Sequence, residues 1–226
     1  MRATGHCAQQ LPLVAAGMDA KEHIGACGSR GEIGPFGDAA LYDDVVQLFR
    51  AARIAVVPTI SYFAFAARLN ERPQMLAGDS ALAPFLLPVE NFRWMLDLDR
   101  KEREVWARAA RQAREAAAKL ARAGVTLGTG TDIWQIPTGV HMELEELVAS
   151  GLSPREALRA ATADAARIVG AERDLGTIEP GKLADLVLLD ADPLADIRNT
   201  RRIWSVVKGG SVVDRAAIAR DFRVPR

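Results

Sequence analysis

Histidine and cysteine are scarce in this sequence. Its 226 residues include three histidines, His6, His23 and His141, and two cysteines, Cys7 and Cys27. Two cysteines in a chain of this length do not make a disulfide framework. Each is read as a small buried residue, because free cysteine is among the most buried side chains. Any imidazole chemistry must use the three histidines. Net charge is lacking too, since 29 basic residues balance 29 acidic ones. That balance gives no electrostatic reason to expect nucleic acid or an anionic membrane as partner. No apolar run reaches the ~18 residues of a membrane-spanning helix. The opening MRATGHCAQQ has no apolar core of the signal-peptide kind. There is no internal repeat and no low-complexity tract. No compartment follows from any of this, and a cytoplasmic one is the default.

What is present is apolar material, 49% of the chain, enough for a sizeable core. The length suits one large domain, or one domain plus a small one. Short strands are expected at Arg2–His6, Asp19–His23, Ile54–Ile60 and Val125–Thr129. Helices are expected over Gln9–Ala16, from Asp38 through DAALYDDVVQLFRAAR, over Asp99–Ala123, over His141–Ser150, and over Pro154–Val169 with Ser153 as N-cap. GACGSRGEIGPFG, residues 25–37, reads as a loop. Residues 61–98 show no clean period but hold Tyr62, Phe63, Phe65, Phe85, Phe92 and Trp94, as a functional cover would. After Thr177 come short strands and turns, with LADLVLLD and RRIWSVVKGG as strands, a Gly-Gly turn, SVV returning, and a loose polar tail. Four strands alternating with helices and then a small all-β piece imply parallel βα units. A closed (β/α)8 barrel needs eight.

His6, His23 and Asp132 each fall at the C-terminal end of an expected strand. Two imidazoles and a carboxylate make a partial ligand set for zinc or a similar ion. The position alone decides nothing. A strand-end histidine is more often a hydrogen-bonded structural residue, and an aspartate after GTGT is often a turn or cap residue.

Motifs carry the reading further. GTGTDIW, HMELEELVASGLSPREALRAATADAARIVGAERDLGTIEPGKLADLVLLDADPL and VVKGGSVV, in that order, resemble the C-terminal section of amidohydrolase-superfamily proteins, in the imidazolonepropionase-like and prolidase-like branch. TGH at 4–6 and AAGMDAKEH at 15–23 resemble that superfamily's fifth- and sixth-strand histidine motifs. The resemblance implies the C-terminal half of a (β/α)8 TIM barrel, strands five to eight, over residues 1–170. Part of a small β-sandwich would follow over residues 171–226. It implies His6 and His23 as metal ligands, and Asp132 as both ligand and proton shuttle. One or two divalent ions, zinc first, would activate a water against an amide, cyclic amide or dipeptide C–N bond. Tyr62 and Trp134, just after strands seven and eight, and His141, at a helix start, are candidates for contact with a small-molecule or dipeptide substrate. The same aromatics could be ordinary packing, and His141 a cap or packing residue.

The superfamily's first-strand His-x-His pair is absent, and no H-x-H occurs in the chain. The strand-four Lys or Glu is absent as well. Half a barrel would leave two parallel edges open. The missing N-terminal half, another chain or a second copy is then needed to close it, and the chain alone is expected to be inactive. The alternative is a non-catalytic remnant or assembly partner.

Overall fold

The computed structural model describes residues 2–6, 10–24, 41–69, 93–132 and 138–221. Its first layer is a parallel sheet. Strands β1 (Thr4–His6), β2 (Ala20–Glu22) and β3 (Ala55–Val57) pair in that order, with Gly5 beside Lys21 and Lys21 beside Val56. A parallel bridge from Val56 to Leu127 adds the next stretch, held by Val56 N to Thr126 O at 2.9 Å and Gly128 N to Val56 O at 2.9 Å. All three residues of β3 are buried. A parallel strand covered on both faces reads as a continuous apolar run for that reason.

Helices α1 (Gln10–Ala15), α2 (Asp43–Ala52), α3 (Ile60–Leu69), α4 (Arg93–Leu96) and α5 (Arg100–Arg122) follow the chain between and after these strands. Helix α5 carries an Asp99–Glu102 capping box and buries Trp106, Ala109, Ala110, Ala113, Ala116, Ala117 and Leu120. The alanines let it lie close against α3. Helices α6 (Gly139–Ala149), α7 (Pro154–Ala161) and α8 (Ala163–Val169) complete this layer. The expected cap at Ser153 is present, with Glu156 closing the box and Pro154 in the first turn.

Three expectations need correction. The strand read over Ile54–Ile60 stops at Val57, and Ile60 opens α3. That helix lay hidden in the aromatic stretch because it is buried nearly all round, including Ile60, Phe63, Ala64, Phe65, Ala66 and Leu69. A helix with no polar face has no 3.6-residue period to read. The single helix over Pro154–Val169 is two, broken at Thr162 (φ −126°, ψ −89°), whose hydroxyl donates back to Leu158 O at 2.7 Å. The tail is not loose throughout. Arg215–Asp221 forms α9, and Arg215 Nη1 donates to Ile203 O at 2.9 Å.

The second sheet is antiparallel, β4 (Leu186–Leu189), β5 (Ile203–Lys208) and β6 (Ser211–Val212). Gly209 and Gly210, both at positive φ (57° and 83°), make the expected two-residue turn between β5 and β6. No residue of these strands is buried, and Trp204, Val187 and Val212 are largely exposed. A 3-10 helix, Ile197–Arg201, joins the sheet to the helical layer through buried Ile197 and Thr200. No helix among the described residues is long and apolar enough to cross a membrane.

Candidate functional site

The C-terminal ends of the parallel strands bring two of the candidate residues, His23 and Asp132, together. His23 follows β2 directly, and its backbone N–H donates to Val57 O at 2.8 Å, which fixes it beside β3. Its ring is buried, with Nδ1 2.6 Å from Thr59 Oγ1 and Nε2 3.8 Å from Asp132 Oδ2. Thr59 follows β3 and precedes α3. Asp132 follows the Leu127 bridge, and its side chain is half exposed.

The backbone marks the same place. Among the described residues, four other than glycine adopt positive φ: His23 (63°), Arg53 (55°), Thr59 (52°) and Asp132 (49°). Arg53 is the C-cap of α2, where left-handed backbone is routine. The other three, His23, Thr59 and Asp132, lie just past the C-terminal ends of neighbouring parallel strands. Such a conformation costs on the order of 1–3 kcal/mol per residue and persists only where its surroundings over-determine it. For β-branched Thr59 it is a true outlier. Glycines 128 and 130 allow the approach of the last strand. A Cβ on Gly128 would meet Ile168 Cδ1 at 2.7 Å, and one on Gly130 would overlap Val57 Cγ1.

Two groups at this end lie inside the quoted motifs, but sequence reasoning gave neither of them a role. Lys21, in the middle of β2, is buried. Its Nζ donates to His23 O at 2.9 Å and to Glu22 O at 3.3 Å, so it pins the turn on which His23 sits. Burial lowers its pKa to about 8. Glu143 of α6 is fully buried and accepts from Ile60 N at 3.1 Å and Ser61 N at 2.7 Å. Burial pushes its pKa up to about 7, against the lowering effect of those hydrogen bonds. Its signal in the sequence was faint: Glu143 falls on the same face of α6 as Leu144 and Leu147, where an acid is out of place.

Tyr62 stands one turn into α3, half-buried and edge-on to Trp106 with centroids 5.5 Å apart. Burial, and then the nearby Asp132 carboxylate, raises its pKa, so it lies within electrostatic reach of the site. His141 is elsewhere engaged. Its Nδ1 is 3.0 Å from Thr200 Oγ1, and burial together with Arg201 lowers its pKa to about 4. The backbone of His6 ends β1, paired in register with Glu22. Cys7, Cys27 and Trp134 lie outside the described residues.

A model of the amidohydrolase family matches residues 14–213, most of the chain. The chain belongs to the amidohydrolase family. Among curated proteins it is similar to a 5-methylthioadenosine/S-adenosylhomocysteine deaminase of Symbiobacterium thermophilum, 36% identical over 87 residues, or 33% of this chain and 20% of that one. It is also similar to an imidazolonepropionase of Geobacillus kaustophilus, 36% identical over 105 residues, or 43% and 24%. A crystal structure of a Xaa-Pro dipeptidase with bound methionine shares the fold at TM-score 0.66 and 23% identity, over 94% of this chain and 45% of that one. The family and the branch expected from the motifs are thus borne out. The chain spans under half the length of that dipeptidase, and its matches cover about a quarter or less of these two curated relatives.

The family usually binds a divalent metal, and the separation of one donor pair is compatible with one. At 3.8 Å, His23 Nε2 and Asp132 Oδ2 are too far apart for a hydrogen bond. Two donors each ~2.1 Å from one ion lie no more than about 4.2 Å apart, so a shared ion satisfies the separation. Among the described residues no group of three His, Cys, Asp or Glu side chains gathers that could hold a metal ion.

Proposed function

We propose that this amidohydrolase chain is part of a metal-dependent hydrolase of C–N bonds in amides, cyclic amides or dipeptides. The approach of His23 Nε2 to Asp132 Oδ2, at 3.8 Å on strained strand-end backbone, carries the reading. His6, His23 and Asp132 would hold one or two divalent ions, zinc first. The ion would supply Lewis acidity and make a water reactive near neutral pH. Asp132, half exposed, would take a proton from the attacking water and deliver it to the leaving nitrogen. His23, held by Thr59, turns Nε2 toward Asp132. Tyr62, and Trp134 by its place in the sequence, remain the candidates for substrate contact. The contacts of His141 support a packing role over substrate binding.

The arrangement of β1, β2, β3 and the Leu127 bridge supports reading residues 1–170 as strands five to eight of a (β/α)8 barrel. The small sheet without a buried strand residue supports reading residues 171–226 as part of a β-sandwich. Four further strands, from an N-terminal half, another chain or a second copy, close the barrel and complete the ligand set. Little or no activity is expected from these 226 residues alone.

The test is bound zinc and amidase activity in the completed protein and in its His23→Ala and Asp132→Asn forms. Both should lose metal or turnover, and unchanged values in both would sink the assignment. The second reading is a non-catalytic remnant or assembly partner. Translating the DNA upstream of Met1 separates the two. An in-frame H-x-H supports the enzyme, and an immediate in-frame stop supports the remnant.

A further inference from the structure

The residue before a helix usually spends its hydroxyl on the helix. An N-cap threonine accepts a hydrogen bond from the second or third amide of the first turn. Thr59 precedes α3 directly, yet its Oγ1 faces another way, 2.6 Å from His23 Nδ1. The first two amides of the helix are satisfied from outside, while Tyr62 N bonds to Thr59 O at 3.3 Å. Glu143, eighty-odd residues later in the chain, gives Oε1 to Ile60 N at 3.1 Å and Oε2 to Ser61 N at 2.7 Å.

We infer that Glu143 is a positioning residue: by capping α3 in place of Thr59, it reserves the Thr59 hydroxyl for His23 and so sets the tautomer and aim of the His23 ring. Neither Glu143 nor Thr59 would touch substrate. Their part is to hold Nδ1 in its protonated form against Thr59 Oγ1, which puts the lone pair on Nε2, the nitrogen facing Asp132. The left-handed backbone of Thr59 (φ 52°) belongs to the same device, because a residue in ordinary N-cap geometry would turn its hydroxyl onto the helix. The direction of the Nδ1 proton rests on His23 being a ligand. The relay from Glu143 through α3 and Thr59 to the ring does not.

The experiment uses the 226-residue chain labelled with 15N-histidine and long-range proton–nitrogen spectra, which report the protonation of each ring nitrogen. His23 is assigned by comparison with His6→Gln and His141→Asn forms. In the wild type, His23 should appear as the Nδ1–H tautomer. Thr59→Val should move both nitrogens toward the averaged values of an unconstrained ring, and Thr59→Ser should restore them. Glu143→Gln, nearly isosteric but with one acceptor where there were two, should move them part of the way. The far-UV circular dichroism of each variant checks that it folds. A His23 signal unchanged in folded Thr59→Val overturns the positioning by Thr59, and one unchanged in folded Glu143→Gln overturns the relay. Zinc titration of the completed protein carrying the same substitutions tests the underlying reading separately. A ~10–100-fold weaker affinity in Thr59→Val is expected for a lost second partner of a ligand histidine. A tautomer shift with no loss of zinc affinity would leave the relay standing and remove the ligand role of His23.

Discussion

Two titratable groups on one helix, Glu143 fully buried and His141 partly so, give opposite pH dependences to the stability of this protein. Glu143 has its pKa raised from 4.5 to about 7, chiefly by burial. The folded state therefore binds its proton more tightly than the unfolded chain does. The stability associated with that proton is fully present below pH 4.5 and is lost as pH rises to about 7. His141, two residues earlier, has its pKa lowered from 6.5 to about 4 by burial and by Arg201. Its contribution runs the other way: present above pH 6.5, lost as pH falls toward 4. A one-unit shift corresponds to about 1.4 kcal/mol, so each group is worth on the order of 3 kcal/mol across its window, His141 less because it is only partly buried. Between about pH 4.5 and 6.5 the two slopes oppose each other.

The expected result is a wild-type chain whose urea-unfolding free energy changes little from pH 5 to 6.5 on account of these two sites. Glu143→Gln should lose the falling slope and become more stable with rising pH, by up to ~1 kcal/mol per unit. His141→Asn should do the reverse, and the double variant should be flat again. Urea midpoints at half-unit pH steps, with the slope of the transition held constant, provide the measurement. Parallel pH profiles for wild type and both single variants would refute the argument, because they would mean that neither group changes its proton affinity on folding.

Other perturbations have simpler outcomes. Gly130→Ala forces a Cβ into Val57 and should cost about 1–3 kcal/mol of stability by chemical denaturation; a loss under ~0.5 kcal/mol would show that the strand has room to shift. Ser153→Ala removes the side chain that caps α7 and should cost ~1 kcal/mol, read from the same curves. Asp132→Asn keeps the side-chain shape but removes its charge, so in the completed enzyme kcat should fall at least ~100-fold, the usual scale for a lost proton carrier, and a change below threefold would exclude it from proton transfer.

How legible this was in the sequence differed from element to element. Helix α5 is where the pattern put it, and α7 starts at the expected Ser153 cap, but the helix read through to Val169 breaks at Thr162. Helix α3 hid, because burial on every side erases the period. The meeting of His23 with Asp132 was expected from parallel strand ends and family motifs. Thr59 and Glu143 were not, since their roles depend on contacts between segments far apart in the chain. A threonine before a helix reads as its cap, and only the folded geometry shows that a distant glutamate has taken that place.

That exchange also accounts for the strain. Left-handed backbone at His23, Thr59 and Asp132 would relax if each segment were free to choose its own conformation. Each is instead tied from outside. His23 is held through its N–H to Val57 O and its carbonyl to the buried Lys21 ammonium. Thr59 is held between the His23 ring and a helix start whose amides belong to Glu143. Asp132 is held by a strand that two glycines bring against Val57 and Ile168. Loosening any one tie should let its residue return to an ordinary conformation and move one donor of the His23–Asp132 pair. For that reason Lys21, Thr59, Glu143 and Gly130, none of them a proposed ligand, should each alter metal affinity when changed, whereas exposed residues of the second sheet such as Val187 should not.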